Sequence, residues 1–464
     1  LQDAANSYRS AIAIKPDFAD AHFNLANTLK DQAQLDAAIA EYQHVLALSP
    51  DNFGAHGNLG IVFKDLGRFD EAAACQEQAL SINPDYAEAH CNLGNVYHEQ
   101  GRLDDAIISL QKALALKPDF AEAHFNLGNA LQKQGQLDAA EASYRQALTI
   151  TPEYADAHSN LGSILKDLGR LEDAIDHYQQ ALALKPDFTV AGKNLLYAKL
   201  NMPGMSPGEL FDDHLHFAET HARGITPITA DFANEANSAS RIRVGYVSSD
   251  FRNHPVGRNL LPLMANHDHD RFEVFCYADV PRPDAISDQF RSCVDHWTPI
   301  SGQSDADVAA TIRADGIDIL VSLAGHFDKN RPLICAHRAA PVQVSFHDGA
   351  TSGLEDIDYW LTDDFLHPPG TEEKFTEELH HLPVFYQYLP PEDAPPVATL
   401  PVATAGRITF GSFNNPAKIN DAVISLWAGV LKAVPESRLL LKYKNWYSQA
   451  SLQDQLTARF KNLD

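Results

Sequence analysis

The stretch that decides the fold is Arg241-Ile-Arg-Val-Gly-Tyr-Val-Ser-Ser-Asp250-Phe-Arg-Asn-His254-Pro-Val-Gly-Arg-Asn-Leu260. It reads as a short buried strand over 243–247, a polar turn, and an amphipathic run from Val256. A strand that ends in Ser248-Ser249-Asp250 and feeds a helix presents side chains at the carboxyl edge of a sheet. Open α/β folds hold ligands at that edge. His254, before Pro255, reads either as a group that handles a proton or as a helix cap.

Working outward, strand candidates at 272–277, 296–300, 317–323, 342–346 and 359–361 alternate with helical patterns such as 306–314 and 333–338. That alternation predicts a parallel sheet with helices on both faces. No GxGxxG follows the first strand, and no Ser or Cys sits in a nucleophile elbow. Polar residues gather where strands end: Ser248, Ser249, Asp250 and Asn253, then Gly325 and His326, then His347, Asp348, Gly349, Thr351, Ser352 and Gly353. The run Asn266-His-Asp-His-Asp270 precedes a strand, on the opposite edge. A solvated turn accounts for it better than a metal cluster does.

Upstream, prolines fall at 16, 50, 84, 118, 152 and 186, a strict period of 34. Asn24, Asn58, Asn92, Asn126, Asn160 and Asn194 keep the same period, as do small residues at 33, 67, 101, 135 and 169. Two helices, a tight turn and a terminating proline per period make a tetratricopeptide array. Gly60, Gly94, Gly128 and Gly162 let paired helices approach closely; Ala38, Ala72, Ala106, Ala140 and Ala174 do so on the second helix. Such arrays hold extended peptides on a concave face. An asparagine ladder there would clamp a peptide backbone through paired donors and acceptors; equally, asparagine is simply frequent at this repeat position. Histidines at 22, 56, 90, 124 and 158 read as packing residues rather than metal ligands.

The expected organisation is an α-solenoid (1–200), a helical junction (201–240), a Rossmann-like domain (241–390), then a linker with the start of a second Rossmann-like domain (391–464). In the junction, Pro203, Gly204, Pro207 and Gly208 break the pattern, a helix follows over 211–223, and 225–240 reads as linker. Pro390, Pro391, Pro395, Pro396 and Pro401 mark a stiff linker. A strand at 408–413 leads into Asn414-Asn-Pro-Ala-Lys-Ile-Asn420, a helix over 421–434 and a strand at 439–443. Lys418, just before a helix, reads as a seat for phosphate or as an exposed loop lysine. Leu1 lies inside a repeat and Asp464 closes no element, so we expect a piece of a longer chain.

A formal charge of −26 disfavours nucleic acid or an anionic membrane as the main partner. Neither a signal peptide nor a bilayer-length apolar run occurs in the sequence given. Five scattered cysteines (Cys75, Cys91, Cys276, Cys293, Cys335) without a CxxC pair fit a reducing cytoplasm, where we expect the protein.

Several motifs carry a resemblance that covers nearly the whole chain. They are the repeat array, Arg241-Ile-Arg-Val-Gly-Tyr-Val-Ser-Ser-Asp-Phe-x-x-His-Pro255, Asp315-Gly-Ile-Asp-Ile-Leu-Val321, Arg338-Ala-Ala-Pro-Val-Gln343, Thr351-Ser-Gly353 and Phe413-Asn-Asn-Pro-Ala-Lys-Ile419. In this order they resemble the protein O-GlcNAc transferase family and the related SPINDLY-type protein O-fucosyltransferases. The resemblance implies a GT-B fold of two Rossmann-like domains and an inverting, metal-independent reaction without a cofactor. The sugar would pass from UDP-GlcNAc, or from GDP-fucose, to Ser or Thr of proteins held by the repeats. It implies catalytic roles for His254, Lys418 and His296, with Lys418 stabilising the diphosphate leaving group. It implies donor contacts from Asn415, Lys418, Thr351, Ser352 and Gly353, and peptide contacts from the asparagine ladder. Two departures stand out: Phe346-His-Asp-Gly-Ala-Thr is one residue shorter than the family's loop, and Ala417 stands where a tyrosine is usual. A repeat scaffold without catalysis is the competing class.

Overall fold

The computed structural model describes residues 1–228, 241–385 and 396–462. The expected boundaries at 240 and 390, most of the 225–240 linker, and Pro390, Pro391 and Pro395 lie outside the described residues.

Twelve helices, from α1 (Gln2–Ile14) to α12 (Thr189–Leu200), carry the repeats. Each helix pair turns through a residue of left-handed backbone: Gly67, Gly101, Gly135 and Gly169 have φ of 72, 79, 80 and 76°. A Cβ is strained there, so glycine is the natural choice, although the first turn makes do with Ala33 at 57°. The expected close helix contacts are present at Gly60, Gly94 and Gly128. A Cβ on Gly128, in α8 (Ala121–Gln134), would lie 2.6 Å from the Tyr144 ring of α9 (Leu137–Ile150). Ala38, Ala72, Ala106, Ala140 and Ala174 are fully buried.

The repeat histidines do more than pack. Nε2 of His56, His90 and His124 lies 3.0 Å from the carbonyl of Pro50, Pro84 and Pro118, and His22 and His158 make the same bond at 2.9 Å to Pro16 and Pro152. A carbonyl only accepts, so the ring nitrogen must carry the proton. Each histidine therefore latches its own helix to the turn before it.

The chain divides into two compact units that do not follow the expected boundaries: Leu1–Arg170 with Gly411–Lys432 and Leu439–Asp464, and Leu171–Phe410 with Ala433–Arg438. The split falls inside the repeat array. Helices α11 (Leu171–Leu184) and α12 therefore belong with the α/β body rather than with the preceding repeats.

In that second unit α13 spans Pro207–Ala222, starting four residues before the expected helix. Pro207 opens it rather than breaking it, because the first helical position needs no N–H and Ser206 forms a capping box with Glu209. The sheet that follows has strands β1 (Ile242–Ser248), β2 (Phe272–Ala278), β3 (His296–Pro299), β4 (Ile319–Leu323), β5 (Val342–Phe346), β6 (Tyr359–Thr362) and β7 (Glu378–His381). They run parallel in the order β3-β2-β1-β4-β5-β6-β7. Strand β7 was not expected, since Glu-Leu-His-His carries no apolar alternation; it is tolerated as an edge. Helices α14 (Pro255–Ala265), α15 (Ala285–Cys293) and α16 (Asp305–Ala314) connect the first strands, and residues Pro332–His337 form a 3-10 turn instead of the expected helix. Alternate residues of β1 feed two cores: Val244 and Tyr246 pack with Phe251, Leu260 and Phe290, while Val247 packs with Tyr277, Leu320 and Ile334. Both faces are thus covered, as a parallel sheet requires.

The last segment holds a short helix α17 (Pro401–Ala405), strands β8 (Thr409–Ser412) and β9 (Arg438–Leu441) in a two-stranded sheet, and helices α18 (Asp421–Ala433) and α19 (Ala450–Lys461). Within the first unit this segment rests on the repeats. Asn445 and Gln449 donate to the Gly135 carbonyl at 3.2 and 3.0 Å, and the Ser451 N–H donates to Asp138 at 3.2 Å. A Cβ on Gly169 would meet the Pro416 carbonyl at 3.1 Å. Two of the periodic glycines therefore also serve as landing points.

Replacing Gly128 by Ala sets a helix-propensity gain of about 1 kcal/mol against an overpacking penalty of about 1–3 kcal/mol. The contact is with a buried ring that cannot swing away, so we expect Gly128→Ala to lower stability by roughly 1 kcal/mol or more. Chemical denaturation followed at the helical circular-dichroism band checks this; a gain in stability would show that the pair is not close-packed.

Candidate functional site

The carboxyl ends of β1, β4 and β5 carry a cluster of buried, hydrogen-bonded polar residues. The turn after β1 is tied on three sides. The Asn330 side chain accepts from the Ser248 hydroxyl and the Ser249 N–H, both at 2.8 Å, and donates to Asp250 Oδ2 at 2.9 Å. The Asn253 N–H donates to Asp284 at 2.7 Å, and the Ser287 hydroxyl donates to the Phe251 carbonyl at 2.7 Å. Ser248, Ser249 and Asp250 are consequently buried.

His254 stands at the N-cap of α14, but its side chain makes no cap hydrogen bond. The cap reading is thereby corrected. Instead Nδ1 lies 3.2 Å from Asp250 Oδ1, at ion-pair distance without hydrogen-bond alignment. A fully buried carboxylate thus lies beside a half-buried imidazole, a pairing of groups suited to proton transfer. Asp250, His254 and Asp328 bring one potential ligand atom each within 4.8 Å of one another. The Arg252 guanidinium already supplies positive charge there, 2.7 Å from Asp328 and 3.8 Å from Asp250.

Beneath this turn lie further titratable groups. His326 donates through Nε2 to the Ser352 carbonyl at 2.9 Å and packs edge-on against His214 and Phe217. Burial, helped by the neighbouring His214, pulls its pKa down to about 3, so it is neutral at physiological pH. Burial likewise brings His347 down to about 4. Asp348 packs on Gly325, where a Cβ would overlap its Oδ2. Burial raises its carboxyl to about 8, against the hydrogen bond from the Gly349 N–H and with the Glu377 charge adding to the rise. A carboxylic acid kept protonated near neutrality can donate a hydrogen bond.

Four of the expected site residues are engaged in other ways. His296 opens β3 opposite Phe275, which is itself opposite Gly245, three positions before the Ser248–Ala278–Pro299 end of the sheet. That is about 10 Å from the carboxyl edge at the rise of a strand. Its ring stacks on Phe275 and Nε2 pairs with Glu273 at 2.9 Å. The register of β3 removes it from the His254 cluster. Thr351 and Ser352 are buried with both hydroxyls committed to the Glu377 carboxylate, and Gly353, at φ 73°, lies against the His214 backbone. They brace a loop; neither hydroxyl is presented to a donor. In the 266–270 run, His267 bonds the Tyr246 hydroxyl at 2.9 Å and His269 pairs with Asp295 at 3.0 Å. That turn is more firmly anchored than a solvated turn.

In the first unit, Asn415 caps a 3-10 turn over Pro416–Lys418 by accepting from the Ala417 N–H at 3.0 Å. Lys418 is exposed, and its ammonium meets no carboxylate among the described residues. In the ladder, Asn58 and Asn160 donate to Asn27 and Asn129, each at 2.8 Å, and Asn126 reaches Cys91 at 3.6 Å. Asn24 is exposed; Asn92 and Asn194 are half-buried. At least half of the ladder therefore stitches neighbouring repeats together.

The sequence pattern had not singled out Asn330, Lys193, Glu377 or Asp284. Three of them sit in ordinary polar turns. Lys193 alone left a trace, as described below.

Comparison with known proteins places these features. Glycosyl transferase family 41 matches residues 225–388, and tetratricopeptide repeat families match 1–33, 26–67, 61–101, 94–135 and 119–187. A solved mutant of the Thermobaculum terrenum O-GlcNAc transferase is 31% identical, covers 81% of this chain and is covered over 72% of its own, with a TM-score of 0.74. The chain belongs to glycosyl transferase family 41. Among curated relatives, the family-41 chain is 36% identical over 272 residues to the Arabidopsis thaliana protein named probable UDP-N-acetylglucosamine–peptide N-acetylglucosaminyltransferase SPINDLY, covering 57% of this chain. A Caenorhabditis elegans UDP-N-acetylglucosamine–peptide N-acetylglucosaminyltransferase is 35% identical over 179 residues, 36% of this chain and 15% of that protein. The match spans about 30% of the SPINDLY protein's length. Among the described residues of this family-41 chain, no helix is long and apolar enough to cross a membrane.

Because His326 is neutral when folded and takes up a proton near pH 6.5 when unfolded, the unfolded chain binds more protons between about pH 6.5 and 3. Stability due to this group is complete above pH 6.5 and drains away on acidification, by up to about 1.4 kcal/mol per pH unit. His326→Gln retains an N–H for Ser352 and cannot titrate. We expect the fall in stability between pH 7 and 5 to be about 1–2 kcal/mol smaller in this variant; parallel curves would show that His326 is not buried neutral.

Proposed function

We propose that this chain is part of a protein O-glycosyltransferase that moves GlcNAc from UDP-GlcNAc to Ser or Thr hydroxyls of polypeptides gathered by the repeats. The observation that carries the reading is the buried Asp250 carboxylate facing the His254 imidazole at the carboxyl edge of the family-41 sheet. A carboxylate–imidazole pair beside a ligand-binding edge suits the handling of a hydroxyl proton or the orientation of sugar and acceptor. The Lys418 ammonium, exposed on its short turn, would meet the charge that builds on the departing diphosphate. Asn415 shapes that turn for contact with the nucleotide.

The reaction so drawn is inverting and needs neither cofactor nor metal; at the acidic pair Asp250 and Asp328 the Arg252 guanidinium already supplies positive charge. Acceptors are extended protein segments, nucleic acid is not a partner, and the work is done in the cytoplasm. GDP-fucose is the alternative donor, and the shortened loop after Phe346 favours the other alternative, a repeat scaffold without catalysis.

In the full-length protein, Lys418→Met should reduce transfer at least 100-fold while the circular-dichroism spectrum stays unchanged. Retention of most activity would remove Lys418 from the reaction. Calorimetric titration of the full-length protein with each nucleotide sugar decides the donor: UDP-GlcNAc should bind at least ten times more tightly, and the reverse order would assign fucosyl transfer.

A further inference from the structure

Helix α12 carries a lysine where the repeat has none. In the 34-residue register, Phe23, Gly57, Cys91, Phe125 and Ser159 precede Lys193, at a position that is buried or half-buried throughout. A lysine there must give up most of its hydration: Lys193 is 9% exposed, and burial draws its pKa down to about 8 despite the nearby Asp328, Asp305 and Asp348 carboxylates. Buried ammonium groups are unfavourable unless well paired. This one has a strong acceptor, the Asn330 carbonyl, at 2.6 Å.

Asn330 is the residue on which the site turn hangs. It is 2% exposed, and both ends of its side-chain amide are in use. Oδ1 accepts from Ser248 and Ser249; Nδ2 donates to Asp250 and, at 3.1 Å, to the Phe327 carbonyl. Asp250 turns its other oxygen toward His254. The loop bearing Asn330 has left-handed backbone at two residues other than glycine, Ala324 (φ 57°) and Asp328 (50°), conformations that persist only where the surroundings impose them. Lys193 is bonded to that loop through the Asn330 carbonyl. All of these residues lie within the second compact unit.

We propose that Lys193 is a positioning residue: it ties the closing repeat helix to the site turn through Asn330 and Asp250, so that the aim of the His254 imidazole depends on the seating of α12. The closing repeat helix and the site would then be mechanically linked, within the second unit, through one buried cation. The kinetic part of this inference rests on the proposed transferase reading; the structural part does not.

The test uses the full-length protein in wild-type, Lys193→Met and Lys193→Arg forms. Hydrogen exchange of peptides spanning 248–254 and 326–331 should be at least tenfold faster in Lys193→Met, with β2 unchanged, and Lys193→Arg should recover most of the protection. In transfer assays kcat should fall about tenfold in Lys193→Met while KM for the acceptor stays within twofold. Unchanged exchange at 248–254 overturns the proposal. So does a loss spread evenly over the sheet that Arg does not rescue, since that is a purely structural role. If Lys193→Met does not fold, Lys193→Gln, which keeps a donor without the charge, replaces it. In that case the exchange effects of Asn330→Ala and Lys193→Gln must be less than additive, and additivity overturns the link. A wild-type protein that transfers no sugar would sink the functional reading and leave the exchange comparison intact.

Discussion

The second unit depends on one side-chain amide. Asn330 joins the turns that follow β1 and β4 by satisfying two donors of the first and one carboxylate oxygen. Neighbouring parallel strands leave their carboxyl ends as separate loops, so an open α/β edge is only as ordered as the bonds between those loops. Here the bonds are buried, where a lost partner leaves a polar atom without water to replace it. Removing the amide would free the Ser249 N–H and one oxygen of Asp250 together. His254 would then face a carboxylate with no fixed direction.

The repeat array solves a different problem with the same means. Each period must stop one helix, turn, and start the next, and it does so with left-handed glycines and histidine latches on proline carbonyls. These devices are local, which explains why they recur so regularly. The array changes character at its end. Helices α11 and α12 belong to the same compact unit as the α/β body, and the position that holds Phe125 or Ser159 earlier in the series holds Lys193 there.

Much of this was legible in the sequence. The period of 34 dictated the helices, and alternation of apolar runs with helical segments predicted β1 to β6 within a residue or two at most ends. The Ser-Ser-Asp-Phe-x-x-His-Pro turn marked the site because it is polar where a strand ends. What escaped was whatever depends on register or long-range pairing. His296 looked like a site residue until its pairing with Phe275 set it toward the far end of the sheet. Thr351 and Ser352 looked available until the Glu377 carboxylate, some 25 residues on, claimed their hydroxyls. Strand β7 has no apolar signature to find. Asn330 is one polar residue in a polar loop, and nothing local distinguishes it from Asp328 or Lys329.

The central claim is that a carboxylate-oriented imidazole on a family-41 sheet serves sugar transfer to protein. Intact-mass spectrometry of an acceptor protein incubated with the full-length enzyme and UDP-GlcNAc tests it most directly. The account predicts acceptor mass increases of whole N-acetylhexosamine units, located by fragmentation to Ser or Thr and lost when Asp250 is replaced by Ala. An unmodified acceptor, or one that gains only a deoxyhexose and only from GDP-fucose, would contradict it.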